Sequence, residues 1–400
     1  MHNIMKEKTV RQYMIFLSLF MMGQMATSAI YVTFLQENGM SLLQVNLINT
    51  VFFLTLFICE IPTGAFADIF GRKQSFIIAC FLRGLASIIY GMSHTISGFI
   101  VAEIVAGIGF TFMSGALKAW LVDSLLHRGY SEVSVKVFGR AKFYSQVCGM
   151  VSCVIGSYIA NYSNAMAWFV GGIIEFILAI VASYTMTEEY FVHQKFAWKK
   201  GLSMMRTIVS SSLRYGVGDK AVRFILITTF IQILAVQPFN MFWQPFFGGL
   251  GVKKLHFGYI YTGMISCLAF GAYIASRINT DGKEKIMIIR SQIYVGILIL
   301  LTLVFSDLPI ILTLFLVHEI GRGFWEPMKD AYLHKRIPSH ERATIDSFCS
   351  ISPHIGGAFG LAFSGAVAQA GGIPLSWIIS SLILIIGALL VAKNDNRSEH

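Results

Sequence analysis

The chain has 400 residues, 55% of them hydrophobic and 13% charged, with 33 Phe and a formal net charge of +10. A soluble chain of that length would divide into roughly two or three domains, yet no ordinary soluble core needs so much apolar surface. The positive balance would fit a nucleic-acid groove if the basic residues shared one surface, but here they alternate with long apolar runs.

Twelve such runs approach the roughly 20 apolar residues that cross a bilayer as a helix. They lie near 13–35, 44–67, 75–93, 97–125, 140–160, 165–187, 222–247, 257–277, 286–305, 309–333, 344–369 and 373–393, and are called spans 1 to 12. Of the 31 Lys and Arg, 25 fall in alternate loops and tails. Lys253 and Lys254 fall on the opposite side, and Arg83, Lys118, Arg322 and Lys329 lie inside spans. Positive charge marks the cytoplasmic loops of membrane proteins, so both termini are expected in the cytoplasm. No small-residue cleavage site follows the first apolar run, which is therefore expected to be retained as span 1.

Span 1 carries the polar residues Gln24, Thr27, Ser28 and Tyr31. Span 2 ends in Glu60-Ile-Pro62-Thr63-Gly64, where the proline cannot donate a backbone hydrogen bond and should kink the helix. Glu60, about one turn before the next loop, is either a proton carrier or a local hydrogen-bonding group that steadies the kink. Between spans 2 and 3 the sequence reads Gly64-Ala-Phe-Ala-Asp68-Ile-Phe-Gly71-Arg72-Lys73. Gly71 allows a tight turn there. This G-x-x-x-D-x-x-G-R-K pattern closely resembles the signature loop of the major facilitator superfamily, and it occupies the matching place among twelve spans. The run from Glu60 to Gly64 is similar to that of a bacterial exporter group that includes small tetracycline pumps.

The resemblance implies an all-α membrane protein with twelve transmembrane helices in two pseudo-symmetric six-helix bundles. Spans 1, 4, 7 and 10 then line the centre. It also implies a conformational latch. Asp68 should meet the N-terminus of span 11, whose dipole favours a negative charge. Arg72 should bind Asp123, and Gly64 should allow a close helix contact.

Span 4 contains Glu103, Lys118 and Asp123. Many proton-coupled members of the superfamily have R-x-x-x-G-x-G there, whereas this chain has Glu103-Ile-Val-Ala-Gly107-Ile-Gly109, with an acid in place of the arginine. Lys118 either reaches the inner cavity or snorkels to the headgroups. Span 5, with Tyr144 and Gln146, lacks the glycine-proline run of many drug antiporters. Glu175, near the middle of span 6, is expected to pair with a neighbour.

The longest polar segment, about 188–221, mixes Phe196, Trp198, Leu202, Met205 and Ile208 with basic residues. It reads as an amphipathic helix on the cytoplasmic membrane surface. The domains are accordingly 1–187, a linker over 188–221, and 222–400. Repeated features support two related halves: Gly107-Ile-Gly109-Phe110 echoes Gly321-Arg322-Gly323-Phe324, and Gly271-Ala-Tyr takes the place of Gly64-Ala-Phe, with Ala275 where Asp68 would stand.

Span 7 offers Gln237, Asn240 and Gln244, and span 11 offers Ser350 and His354. Span 10 is richest in charge, with Glu319, Arg322, Glu326, Lys329 and Asp330 beside Trp325. Spacings of three and four place this stripe on one helix face. It either lines a wet cavity or forms a salt-bridge ladder between helices. Each such group costs roughly 2.5–3.5 kcal/mol at a span centre on insertion scales.

The six cysteines all fall in spans without metal-ligand spacing and are expected to act as packing residues. No phosphate-cradling G-x-x-x-x-G-K-[ST] loop is present. Nor is there an H-E-x-x-H or G-x-S-x-G motif. The chain is thus expected to be no enzyme, to need no cofactor and not to be driven by ATP.

Together these features describe a secondary transporter of the bacterial plasma (inner) membrane, working as a monomer in the lipid bilayer by alternating access. Its partners are protons and a small-molecule substrate. Export of a small amphipathic or charged compound is the first expectation. Uptake of a polar or anionic nutrient and lipid flipping are alternatives, and a transport-dead sensor or scaffold is the rival from another class. The expected proton-coupling acids are Glu60, Glu103, Glu319 and Glu326. The expected substrate contacts are Gln24, Tyr31, Lys118, Gln237, Asn240, Arg322 and Trp325. Gly64, Asp68, Gly71, Arg72 and Asp123 are the expected latch.

Overall fold

The computed structural model describes residues 4–130, 135–191, 220–278, 282–336 and 342–396. These residues form helices α1 (Lys8–Met25), α2 (Tyr31–Glu37), α3 (Leu42–Phe70), α4 (Arg72–Met92), α5 (Ile96–Met113), α6 (Ala116–His127), α7 (Val135–Tyr162), α8 (Asn164–Thr185), α9 (Lys220–Gly249), α10 (Phe257–Arg277), α11 (Glu284–Thr302), α12 (Leu308–Arg336) and α13 (Arg342–Asn396), with no strand among the described residues. Most of the expected linker helix falls on residues 192–219, outside the described set.

Ten helical stretches among the described residues are long and apolar enough to cross a membrane. Adding span 1 and dividing spans 11 and 12 brings these to twelve, and three interruptions mark the helices. Span 1 breaks over 26–30 into α1 and α2. Span 4 breaks at Gly115, whose φ of +73° stops α5 from running directly into α6. Spans 11 and 12 form the continuous α13, turned at Gly372 with φ +82° and ψ 175°. Pro62 lies inside an unbroken α3. Its missing N–H leaves the Ile58 carbonyl without its usual donor, while the Thr63 hydroxyl donates to the next carbonyl, that of Cys59, at 2.9 Å.

The helices gather into two compact units. Unit 1 holds α1, α2, most of α3, α4 to α8 and the segment Val252–Tyr261. Its core stacks Phe16 on Phe76 at 5.7 Å and sets Trp120 6.1 Å from Phe16, all three fully buried. Unit 2 holds Gly39–Thr50, α9, the rest of α10 and α11 to α13. Its core centres on the buried rings of Phe239, Phe247, Phe315 and Trp377. In each unit the repeated G-x-G packs flanking helices: a Cβ on Gly109 would meet α4, and one on Gly323 would strike the Leu268 carbonyl of α10 at 1.8 Å. Small residues of this kind let membrane helices approach backbone to backbone. Large apolar side chains such as Ile58, Phe81, Ile180 and Phe359 stay exposed, as expected of surfaces facing lipid tails.

Candidate functional site

The break in span 1 sets the first part of the site. It restarts the helix at Tyr31, whose hydroxyl donates to Glu103 Oε1 at 2.6 Å. Tyr90 on α4 donates to the same oxygen at 2.5 Å. Glu103 is 4% and Tyr90 3% exposed. Trp168 of α8 lies flat on Tyr90, with 4.1 Å between ring centroids and 9° between planes. Three helices therefore meet at one carboxylate, and a fourth backs Tyr90. A tyrosine hydroxyl is both donor and acceptor, so this pair of partners suits the acid in either protonation state.

Glu60, half-buried on α3, accepts from the Ser114 hydroxyl at 2.6 Å. Ser114 caps the C-terminus of α5, so the break in span 4 places that hydroxyl. Gln24 receives the Ser28 hydroxyl on its backbone carbonyl at 3.2 Å. Lys118 is exposed and holds its ammonium 5.3 Å over the Phe138 ring. Glu175 is 1% exposed, and among the described residues neither carboxylate oxygen has a hydrogen-bond partner, so the expected pairing is not seen there.

The signature loop turns at Gly71, with φ +101°. The Arg72 guanidinium engages Asp68 at 2.7 Å, one turn back in sequence. The expected partner Asp123 is not the acid it binds; the i, i+4 spacing across the turn puts Asp68 nearer to hand. The Arg72 backbone N–H donates to Glu188 Oε1 at 2.7 Å. Burial first, and the Glu188 charge second, push the neighbouring Tyr190 hydroxyl above its ordinary pKa. Among the described residues, none lies against the place where a Cβ on Gly64 would sit, so they show no close helix contact there. The side chains that begin span 11 lie outside the described set, and with them the expected partner of Asp68.

In unit 2, Glu319 is 2% exposed and accepts from Arg322 at 2.7 Å. His318, fully buried, brings Nε2 to 3.6 Å from the same carboxylate, beyond hydrogen-bond reach. Its Nδ1 contacts the Phe315 carbonyl, and its ring is flanked by Phe315 and Phe239. Farther along α12 the charges open outward. Glu326 is 72% exposed, and Lys329 lies 4.0 Å from it, 3.4 Å from Asp330 and 5.2 Å over the buried Trp325 ring. Gln237 is buried on α9, and Asn240 is half-buried on the same helix.

Sequence reasoning passed over Tyr90, Trp168, Glu188 and His318. His318 carried a signal, being an ionisable side chain within a span next to Glu319. The others carried none, since an aromatic in an apolar run or an acid in a loop is ordinary. No group of three or more His, Cys, Asp or Glu among the described residues is placed to hold a metal ion.

The sequence profile described as Major Facilitator Superfamily matches residues 13–282 and 225–400. The chain is similar to the uncharacterized MFS-type transporter YxaM of Bacillus subtilis, at 22% identity over 91% of this chain and 90% of that protein. It is also similar to the multidrug resistance protein MdtH of Blochmanniella pennsylvanica, at 22% identity over 82% of this chain and 78% of that one. Among solved structures, the nucleoside transporter NupG shares the fold with a TM-score of 0.81 at 13% identity, covering 97% of this chain and 99% of its own. The profile match spans both units, and twelve spans with a glycine-arginine turn after the second complete the pattern: this multi-pass membrane protein belongs to the major facilitator superfamily of transporters and is not an enzyme.

Proposed function

We propose that the protein is a proton-coupled secondary transporter that exports a small amphipathic or charged compound by alternating access. The observation that carries this reading is Glu103, a buried carboxylate held by two tyrosine hydroxyls inside a span. An acid at that depth is costly, so it is expected to serve transport. Glu60, Glu319 and Glu326 are the further candidates for carrying the proton. Gln24, Tyr31 and Lys118 in unit 1, with Gln237, Asn240, Arg322 and Trp325 in unit 2, are the candidate substrate contacts. Gly64, Asp68, Gly71, Arg72 and Asp123 form the proposed latch of the cytoplasmic side.

Export is supported by the Glu60–Gly64 run and by the multidrug name of one relative, which describes that relative. A bacterial inner membrane, cytoplasmic termini, a monomer and bundles over 1–187 and 222–400 joined by 188–221 complete the reading. Uptake of an anion is the second reading, favoured by Arg322, whose planar donors suit a carboxylate or phosphate.

Proteoliposomes containing a pH-sensitive dye test both. Export coupled to protons requires lumenal pH to change when ethidium or tetraphenylphosphonium is added, and requires Glu103→Gln to abolish that change. A response to organic carboxylates alone supports uptake. No proton flux with either class removes the coupled-transport reading.

A further inference from the structure

The segment that leaves α8 does not pass freely into the linker. Gln12 of α1 donates to the Thr185 carbonyl at 2.8 Å, and the Trp120 indole N–H donates to the Thr187 carbonyl at 2.9 Å. Met186 between them is fully buried. This strap delivers Glu188 to the signature turn. The N-cap of α4 is Gly71, which has no side chain to cap the helix. The first N–H groups of a helix lack intrahelical acceptors, and the positive end of the dipole favours an acid. Glu188 fills both needs from outside, taking the Arg72 N–H at 2.7 Å. Glycine suits the position, with φ +101°, and a Cβ on residue 71 would lie 2.5 Å from Glu188 Oε2 and force the cap to shift.

Tyr190 ties the same strap to α6. Its hydroxyl lies 3.4 Å from Glu188 and its ring 6.2 Å from His127. The Arg72 guanidinium, at the turn that Glu188 caps, has settled on Asp68.

We propose that Glu188 is a positioning residue of the signature loop: by capping α4 it fixes the turn from which Arg72 reaches Asp68, so the start of the linker holds the latch arginine in place. The inference rests on the latch reading only for its consequence in transport. The capping itself stands on the geometry above.

Hydrogen exchange of the full-length protein in nanodiscs, followed on the peptide covering the end of α3 and the first turn of α4, tests it. Glu188→Ala should speed exchange there several-fold. Glu188→Gln, which keeps an acceptor oxygen, should restore most of the protection, and Glu189→Ala should change nothing. Wild-type exchange in Glu188→Ala, or no recovery of protection in Glu188→Gln, overturns the proposal. Two-sided labelling of an introduced cysteine is run in parallel. Faster exchange without any change in labelling leaves Glu188 as the positioning residue and removes the latch reading.

Discussion

Replacing Glu103 separates its structural contribution from its role in coupling. Both tyrosine hydroxyls donate to the same oxygen, at 2.6 and 2.5 Å. Glu103→Gln keeps a carbonyl oxygen in that place, so both bonds can re-form without the charge assistance that makes such bonds stronger. The expected cost is about 1 kcal/mol. Glu103→Ala strips the acceptor from two hydroxyls, one of them on a 3% exposed residue. Leaving a buried donor unsatisfied costs roughly 1–3 kcal/mol; Tyr90 is the buried hydroxyl of the two and lies 3.4 Å from that of Tyr31, so the Ala variant should lose about 1–3 kcal/mol, before any cavity is counted. Tyr90→Phe should fall between the two, because it removes one bond and leaves Tyr31 in place. Unfolding in mild detergent, followed through tryptophan fluorescence with Trp168 stacked on Tyr90, measures the series. Flux driven by a pH gradient is measured on the same preparations. The expected result is a folded Gln variant without pH-driven transport and a destabilised Ala variant. An Ala variant as stable as wild type would refute the packing argument, and normal pH-driven flux in the Gln variant would refute the coupling argument.

Three further outcomes are expected. Arg322→Lys should weaken binding if the arginine meets the substrate, because the planar fork is lost, whereas Arg322→Ala should strand the buried Glu319 and lower stability by about 3–5 kcal/mol; binding and unfolding measured on both variants separate these effects, and wild-type affinity in both shows that Arg322 does not touch substrate. Gly23→Ala would set a Cβ 2.7 Å from Glu175 Oε1, an overpacking that should cost about 1–3 kcal/mol. Thermal unfolding should show that loss and its rescue by a second change, Glu175→Ala; an additive loss in the double variant contradicts the contact. Asp68→Asn removes the ion-pair partner of Arg72 and should shift the protein toward inward-facing states, seen as altered labelling of introduced cysteines from the two sides, and identical labelling disproves it.

The candidate site was legible in part because of cost. An acid in an apolar run stands out wherever it faces, so Glu60, Glu103, Glu175 and Glu319 were visible without coordinates. Their partners were not. Glu103 meets a tyrosine 72 positions earlier in the chain and another 13 positions earlier, and nothing in local spacing points to either. Span 10 shows the limit of periodicity. Its charges share a helix face, yet Glu319 is 2% exposed and Glu326 72% exposed, although Trp325, Met328 and Tyr332 keep α12 packed on another face beyond Glu319.

The number of spans and the tight turn at Gly71 depend on composition, length and one residue without a side chain. Each is a local or additive property, so the sequence alone determined them, and the profile match and fold bear out the family that the loop resembles. Which acid Arg72 binds, which hydroxyls hold Glu103 and why Glu188 lies over Gly71 are properties of neighbours brought together by helix packing. Interhelical distances of a few ångströms decide them, and a 3.6-residue period names the face of a helix but not what lies against it. Only the tertiary structure could choose among the acids that the sequence offered.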